Sequence, residues 1–216
     1  MSRATALTPD RIAEAALRVG DRDGPPAMSM RRIAAELRCD PMALYRHFAD
    51  REALLDAVAD LAMADVPEPD PAAAWDARLR VLVTAVRDAA LRHPGIAGHV
   101  ASRPPLGAHG RRLGAVMLAA LTEAGLPPAK AVQSMQALIA YAAAALAMAV
   151  AAGTRDERWH QVSEVFAALP GAPPGAQLHV VGSADQFAFG LRLLLNGIRA
   201  EAGLMTGEAG ATPGAQ

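Results

Sequence analysis

Two helix-start signals lie close together between residues 29 and 48, and they constrain the fold more than any other feature of the sequence. Ser29 is a favoured helix N-cap, and the apolar side chains after it recur at helical spacing, at Met30, Ile33, Ala34 and Leu37. Asp40 followed by Pro41 is a second start, because aspartate caps a helix and proline fits its first turn. With about three residues between the two helices, the chain has to turn sharply there.

A further helix is predicted on each side of this pair. Thr8 and Pro9 open the first of them, and Gly24 ends it. Asp50 caps the last, whose inward positions are Leu54, Leu55, Val58 and Leu61. Three prolines then interrupt the helical pattern, at Pro67, Pro69 and Pro71. We therefore assign residues 1–66 to an N-terminal domain, in which a three-helix unit of the helix-turn-helix type is followed by this fourth helix.

The rest of the chain has the pattern of long helices. They are predicted at about 72–92, 95–102, 108–124, 128–152, 156–168 and 184–202. No strand-like alternation competes, and much of the 52% hydrophobic content is alanine, the best helix former. Prolines and glycines between Pro170 and Gly182 predict a flexible loop. The predicted fold class is all-α with about nine to ten helices, with residues 67–204 as a second helical domain and residues 205–216 as a disordered tail.

Charge, cysteine content and hydropathy indicate which partners and which cellular compartment suit the chain. The net charge is -1, but residues 1–51 contain nine arginines against seven acidic residues, so the front of the chain is better suited to a polyanion. Cys39 is the single cysteine, which excludes an intrachain disulfide and is typical of a reducing cytoplasm. The N terminus has no apolar signal-peptide core. The uncharged stretch Ala137–Ala152 is shorter than the ~20 residues of a membrane span, so we expect a buried helix and no membrane partner.

The polarity of residues 29–48 indicates what the paired helices contact. The apolar positions face inward, at Ile33, Leu37, Cys39, Leu44 and Phe48. The positions left outside are Arg31, Arg32, Met42, Ala43, Tyr45, Arg46 and His47. Such a surface suits a DNA duplex, because arginine can pair with guanine and small residues let a helix seat deeply in the major groove. The alternative is an ordinary helical hairpin with solvated arginines.

Residues 8–66 resemble the DNA-binding domain of the TetR family of transcriptional repressors. The resemblance is carried by Ser29, Arg31, Ile33, Ala34, Leu37, Leu44, Tyr45, His47, Phe48, Leu54 and Leu55, and most specifically by the run ALYRHFADREALLDAV. It implies that Arg31, Met42 and Ala43 read bases and that Tyr45, His47 and Arg51 contact phosphates. The full expected DNA-binding set is Ser29, Arg31, Arg32, Pro41, Met42, Ala43, Tyr45, Arg46, His47 and Arg51.

One position departs from that family's pattern. Arg38 stands where the family usually has glycine at the end of the second helix. A left-handed backbone is favoured there, and a residue other than glycine costs on the order of 1 kcal/mol. We expect the turn to form with some strain.

The second half of the chain resembles the tetracycline-repressor branch of the family, in the segments His99–Pro104 and Phe187–Ile198. His99 falls where that branch places a histidine that ligates the drug-bound magnesium, but the acidic partner expected near the end of the eighth helix is missing. We therefore expect no metal site and no cofactor. The expected ligand pocket consists of Trp75, His99, Ser102, Arg103, Met117, Gln136 and Tyr141.

Several of these residues have a plainer interpretation. His99 alone is more often a buried, hydrogen-bonded histidine than a ligand. Large side chains at helical spacing are more often core than pocket, which applies to Trp75, Met117, Met135, Tyr141 and Met148. The apolar faces of the eighth and last helices fit a four-helix interface with a second copy, with burial inside one chain as the alternative.

The function that these patterns favour is a sequence-specific repressor released from its operator by a small molecule. Its expected partners are double-stranded operator DNA, an unidentified small-molecule effector and a second copy of the chain. An enzyme is the first alternative, although no phosphate-binding loop, nucleophile elbow or metal-spaced histidine cluster is found. The second alternative is a DNA-binding protein without a ligand. The 150 or so residues after the domain boundary at residue 66 argue against it, because dimerisation alone needs fewer.

Overall fold

The chain folds into packed helices. The structure, a computed structural model, describes residues 6–152, 157–171 and 180–209. Its α-helices are α1 (Pro9–Asp23), α2 (Met30–Glu36), α3 (Pro41–Leu44), α4 (Arg51–Leu61), α5 (Trp75–Arg92), α6 (Pro94–Ser102), α7 (Ala108–Glu123), α8 (Pro128–Ala152), α9 (Glu157–Ala167) and α10 (Ala184–Ala209). A short 3-10 turn spans Pro25–Ala27, and no strand occurs in these ranges. The all-α prediction is confirmed.

The helix starts in the N-terminal part follow the predicted caps. Thr8 Oγ1 accepts a hydrogen bond from Arg11 N at 3.3 Å, and Ser29 Oγ accepts from Arg32 N at 3.3 Å. Asp40 and Asp50 do the same for α3 and α4, each through Oδ1, at 2.7 and 2.8 Å. These side chains satisfy backbone donors that a helix start leaves unpaired, so four local signals fix where the helices begin.

The turn between α2 and α3 has the strain that its sequence predicts. Arg38 has φ of 54°, the one positive φ of a residue other than glycine among the described residues. The backbone closes around it, with Cys39 N donating to Ala34 O at 3.0 Å. The arginine therefore occupies a conformation that glycine adopts without steric cost.

Arg38→Gly should raise the free energy of unfolding by about 0.5 to 1 kcal/mol, because the steric cost is removed while glycine's freedom in the unfolded chain offsets part of the gain. Urea denaturation followed by circular dichroism measures this change. Arg38→Ala is the matched control and should give no gain, since alanine keeps the β-carbon. Equal gains for both variants would contradict the backbone explanation.

Most helices of the second half lie where periodicity places them, and α10 is the exception. The predicted helix 128–152 coincides with α8, and the others begin within three residues of their predicted starts. The last helix continues to Ala209, beyond its predicted end at 202 and into the predicted tail. The loop predicted between Pro170 and Gly182 falls mostly on residues 172–179, which lie outside the described residues. Residues 210–216 of the predicted disordered tail lie outside them as well.

Helix α8 is less buried than expected. It has 25 residues, and its segment Pro128–Ala151 is long and apolar enough to cross a membrane, with 17% of the most apolar window buried within the chain. The uncharged stretch 137–152 is shorter than a membrane span, but the helix that contains it is long enough for one, and little of its apolar surface is buried inside the chain. Leu138 and Leu146 do pack inward, but Val132, Met148 and Val150 are exposed. On α10, Phe189 and Leu193 are exposed as well, so both helices carry apolar surface that one chain leaves uncovered.

The two halves of the chain pack closely where α1 crosses α6. A β-carbon on Gly95 would overlap the backbone of Gly20, and one on Gly20 would overlap Met28 and crowd Gly95. Two residues without side chains thus let the two helix backbones come into direct contact. On the other side of this contact, α4 lies against α6 and α7.

Candidate nucleic-acid interface and sensor cavity

The short helix α3 presents a polar surface over an apolar base. Leu44 is fully buried and Phe48 nearly so, which holds the helix to the core. On the opposite side Met42 is 65% exposed and Tyr45 is 45% exposed. Arg46 and His47 are exposed too, whereas Pro41 and Ala43 are half-buried at the helix start. We call Arg31, Met42, Tyr45, Arg46 and His47 the recognition surface.

The arginines predicted to contact DNA differ in whether they form ion pairs with other side chains of the protein. Arg31 is exposed. Arg32 Nη2 lies 3.2 Å from Asp23 Oδ2, and Asp23 also pairs with Arg22. Arg22 in turn reaches Glu36 on α2, and these two arginines hold the pKa of Asp23 below its usual range. Arg32 therefore belongs to an ion-pair network that ties α1 to α2, while Arg31 points outward.

Two predicted contacts have structural partners that the sequence did not suggest. Arg51 Nε donates to Met28 O at 2.9 Å, and its Nη1 lies 3.4 Å from Glu52. Arg51 thus fastens the start of α4 to the turn before α2, in addition to being exposed at the surface. The hydroxyl of Ser29 accepts a hydrogen bond as the cap of α2. Both residues help to position the recognition surface.

A cluster of charged side chains joins α4 to α6 and the loop after it. Arg103 donates to both carboxylate oxygens of Asp56, at 2.9 and 2.7 Å, and His99 Nε2 lies 2.8 Å from Asp56 Oδ1. His99 Nδ1 is 3.9 Å from Glu52. Hydrogen bonds from Arg103 above all, and also from His99, lower the pKa of Asp56 to about 2. This α4–α6 contact therefore contains an ionised carboxylate at neutral pH.

The lowered pKa of Asp56 gives the contact a pH dependence. Stabilisation by this carboxylate should be complete above its usual value of 3.8 and should be lost as the pH falls through about 2. The free energies of unfolding of the wild type and Asp56→Asn should differ at pH 5 and converge toward pH 2, as urea titrations would show. Asp65→Asn, at an exposed position just beyond α4, is the control and should not converge in this way. A difference that stays constant with pH would contradict the assignment.

A second carboxylate of α4 caps α7. Asp60 is 8% exposed, and it accepts hydrogen bonds from His109 N at 3.1 Å and Gly110 N at 2.8 Å. A β-carbon on Gly107 would overlap the Asp60 carboxylate. A negative charge suits the N-terminal end of a helix, where backbone N–H groups have no partner in the helix itself. Asp60 therefore ties α4 to the first turn of α7.

A cavity of about 120 Å³ lies between α5, α6, α7 and α8. Its walls are mostly apolar, and they include Val83, Val100, Leu113, Met117, Leu138 and Leu146. Pro104 and Pro105, in the loop after α6, close one side. Arg87 is the one charged side chain among the described lining residues. An apolar space with a single strong donor is typical of small-molecule sites.

The seven predicted pocket residues do not share one cavity. Met117 lines the cavity between α5 and α8. Ser102 and Arg103 line a different, wider cleft of about 580 Å³ between α1, α4 and the loop after α6. The structure therefore does not bring all seven residues together in one of these cavities.

The other four predicted pocket residues have separate positions. His99 lies at the contact with α4. Trp75 lies at the start of α5, with Arg199 5.9 Å over its ring. Gln136 is exposed on α8. Tyr141 donates to Phe187 O at 2.8 Å and stacks on the Phe187 ring, so it joins α8 to α10.

The residues near the cavity do not fit a metal-bound ligand. His99, the histidine that the resemblance offered, faces Asp56 and does not line the cavity. The described lining residues include no carboxylate. The described part of the chain contains no cluster of three or more histidine, cysteine or acidic side chains placed to hold an ion.

Sequence reasoning missed Asp56, Asp60 and Arg87. Asp56 and Asp60 are four residues apart, so they share one face of α4, and that spacing could have marked a polar contact. Arg87 lies four residues after Val83 and three before Ala90, on the stripe of α5 that is buried. A charged residue on an apolar stripe is unusual enough to have been a signal.

Comparison with known families gives two matches that together span most of the chain. Residues 12–58 match the family model described as bacterial regulatory proteins, tetR family. Residues 68–202 match the model described as tetracyclin repressor-like, C-terminal domain. The first range contains the recognition surface, and the second contains the cavity.

Individual relatives agree with the families. The chain is 37% identical over 105 residues to the HTH-type transcriptional repressor DrrR1 of Streptomyces coeruleorubidus, a match that covers 47% of this chain and 38% of that protein. It is 31% identical over 140 residues to the class A tetracycline repressor from transposon 1721 in Escherichia coli, covering 62% of this chain and 63% of the relative. The matches thus cover less than two thirds of these curated relatives.

Solved structures match over nearly the whole chain. ActR from Streptomyces coelicolor is 28% identical, with 92% of this chain and 100% of that chain covered. The TM-score is 0.79 for its apo form and 0.76 for its complex with actinorhodin. BioQ with a double-stranded DNA operator is 25% identical, covers 90% of this chain and 99% of that one, and has a TM-score of 0.68. With both family models matched and the fold shared, the chain belongs to the tetR family of bacterial regulatory proteins.

Proposed function

We propose that this protein is a homodimeric repressor that binds operator DNA and leaves it when a small molecule enters the cavity. The observation that carries the proposal is the recognition surface, where exposed polar and apolar side chains stand on a short helix fixed by buried Leu44 and Phe48. A short helix with this polarity fits the major groove. The similarity to BioQ, solved with a double-stranded operator, supports operator binding by this protein.

Within this surface we assign two kinds of contact. Arg31 is the side chain best placed to pair with a guanine, because it is exposed and arginine presents a fork of donors. Met42 and Ala43, at the start of α3, supply the apolar contacts to thymine methyl groups. Tyr45, Arg46 and His47 supply hydrogen bonds to phosphates, which set the register of the helix on the duplex.

Release by a ligand requires a connection from the cavity to the recognition surface. Pro104 and Pro105 line the cavity, and the residue before them, Arg103, is bonded to Asp56 of α4. A ligand that displaces this loop therefore changes the position of α4, the last helix of the DNA-binding half. A population shift follows when the ligand binds the displaced arrangement more tightly. The structure of ActR in complex with actinorhodin supports a small-molecule ligand for a protein of this fold.

The exposed apolar faces of α8 and α10 form the proposed dimer interface. Val132, Met148, Phe189 and Leu193 leave apolar surface that a second copy would bury. A two-fold dimer also matches an operator with two half-sites. We also propose that the boundary between the two domains follows residue 66, that the protein is cytoplasmic and that it has no enzymatic activity. An enzyme or a ligand-independent DNA-binding protein are the alternatives.

The experiment that tests this proposal measures release. Compounds that raise the melting temperature of the purified chain are added to its complex with labelled operator DNA, and fluorescence anisotropy follows dissociation. The proposal expects at least one stabilising compound to release the DNA, and expects Leu113→Trp, which fills the cavity, to lose that response. Stabilising compounds that never weaken DNA binding would overturn the ligand-responsive part.

A further inference from the structure

We propose that the effector is a compact apolar molecule with an acidic group, and that Arg87 binds that group in the cavity between α5 and α8. This inference rests on the proposed function, because it names the ligand class of the same cavity. Arg87 lines the cavity and is 6% exposed. Arginine is rarely buried without a partner that balances its charge, so its position calls for an explanation.

The protein fixes Arg87 in place without using all of its donors. Nη2 donates to Gly182 O at 2.7 Å, and the guanidinium carbon lies 5.1 Å from the centre of the Phe187 ring. Nε is shut off from solvent and has no hydrogen-bond partner among the described residues. A backbone carbonyl and a ring face orient the side chain, but neither carries a full negative charge. The side chain is held ready for a further acceptor.

Within the described ranges, the charge of Arg87 is balanced only weakly. The one ion-pair contact of Arg87 with a described residue is Nη1 to Asp88 Oδ1 at 3.3 Å, and the Asp88 side chain is 52% exposed. A solvated carboxylate at that distance is a weak partner for a buried cation. The remaining described walls of the cavity are apolar or backbone. A carboxylate or phenolate on the ligand would supply the missing charge and match the donor fork of arginine.

The size of the cavity sets the apolar part of the ligand. Its volume of about 120 Å³ is near the roughly 150 Å³ that holds one benzene ring in an engineered apolar cavity. A single-ring acid therefore fits with little rearrangement. A larger fused-ring acid would have to displace Pro104 and Pro105, the side of the cavity that leads to Arg103.

Paired acidic and neutral probes test the proposal. Benzoate and 2-naphthoate are compared with benzamide and 2-naphthamide, by calorimetric titration of the wild-type chain at constant ionic strength. We expect at least one acid to bind at least tenfold more tightly than its amide and to raise the melting temperature. Equal binding of acid and amide, or no binding of either acid, would overturn the proposal.

Variants on the same helix assign the preference to Arg87. Arg87→Gln should erase the difference between acid and amide, whereas Arg87→Lys, which keeps the charge, should retain it. Arg80→Gln removes an exposed charge from α5 and should behave as the wild type. If Arg87→Gln still binds acids more tightly than amides, the assignment to Arg87 is contradicted. If Arg87→Gln does not fold, the Arg87→Lys variant decides, and equal binding of acid and amide by that variant would contradict the assignment.

DNA binding is measured on the same proteins without any probe, so that the two proposals fail separately. If the wild type binds operator DNA but shows no preference for acids over amides, only the proposed ligand class is refuted. Absence of operator binding, with the acid preference intact, removes the repressor function and leaves the Arg87 site standing.

Discussion

Replacing Arg31 and Tyr45 together with alanine should lower the affinity for operator DNA by at least 100-fold, with the free energy of unfolding changed by no more than about 0.5 kcal/mol. A base contact by arginine contributes about 1 to 3 kcal/mol, and the proposed dimer would make this contact at two half-sites. Both side chains are exposed, so their removal opens no cavity in the core. Fluorescence anisotropy with labelled operator measures the affinity, and urea denaturation measures the stability.

Single variants should separate the two kinds of contact. Arg31→Ala should relax the base preference at one position of each half-site, whereas Arg46→Ala should weaken binding to all sequences and reduce the salt dependence. Arg80→Ala, an exposed charge on α5 away from the recognition surface, should change neither. Equal, sequence-independent losses for Arg31→Ala and Arg46→Ala would contradict the division between bases and phosphates.

Asp60→Ala should lower the free energy of unfolding by about 2 to 4 kcal/mol, because two backbone N–H groups at the start of α7 lose a charged acceptor in a buried place. Thermal or urea denaturation of the purified protein measures the loss. Asp65→Ala, at an exposed position shortly after Asp60, should cost less than about 0.5 kcal/mol.

The same variant should also weaken the response to ligand. Asp60 connects α4 with α7, and α7 forms a wall of the cavity, so a variant that still folds should need more effector to release the same operator. Asp60→Asn, which keeps one acceptor oxygen, should have an intermediate effect on both quantities. A loss of stability below about 1 kcal/mol for Asp60→Ala would contradict its role as the cap of α7.

Local signals made most of the secondary structure predictable. The caps at Thr8, Ser29, Asp40 and Asp50 act within three residues, so the sequence alone places the starts of α1 to α4. The strain at Arg38 was predictable from the family resemblance, because the family usually has glycine at this position and Arg38 has φ of 54°. The end of α10 was not, because Gly203 was interpreted as the start of the tail, whereas the helix continues through it to Ala209.

The site was predictable only where it depends on one helix. Inward and outward positions of α3 follow from its own periodicity, so Leu44, Phe48 and Tyr45 were assigned correctly. The partner of Arg51 is 23 residues away and that of Arg87 is 95 residues away. Contacts of that kind depend on how helices pack, which spacing along one helix does not determine. The same limit explains why the predicted pocket residues lie in several different places.

Selection of duplexes from random DNA by the wild-type protein tests directly whether the recognition surface reads an operator. We expect enrichment of a two-fold symmetric sequence, with half-site centres about 34 to 36 Å apart or near a multiple of one helical turn. The Arg31→Ala, Tyr45→Ala double variant should not enrich it. Failure to enrich any sequence, or the same enrichment by both proteins, would contradict the claim that α3 and its flanking arginine read DNA.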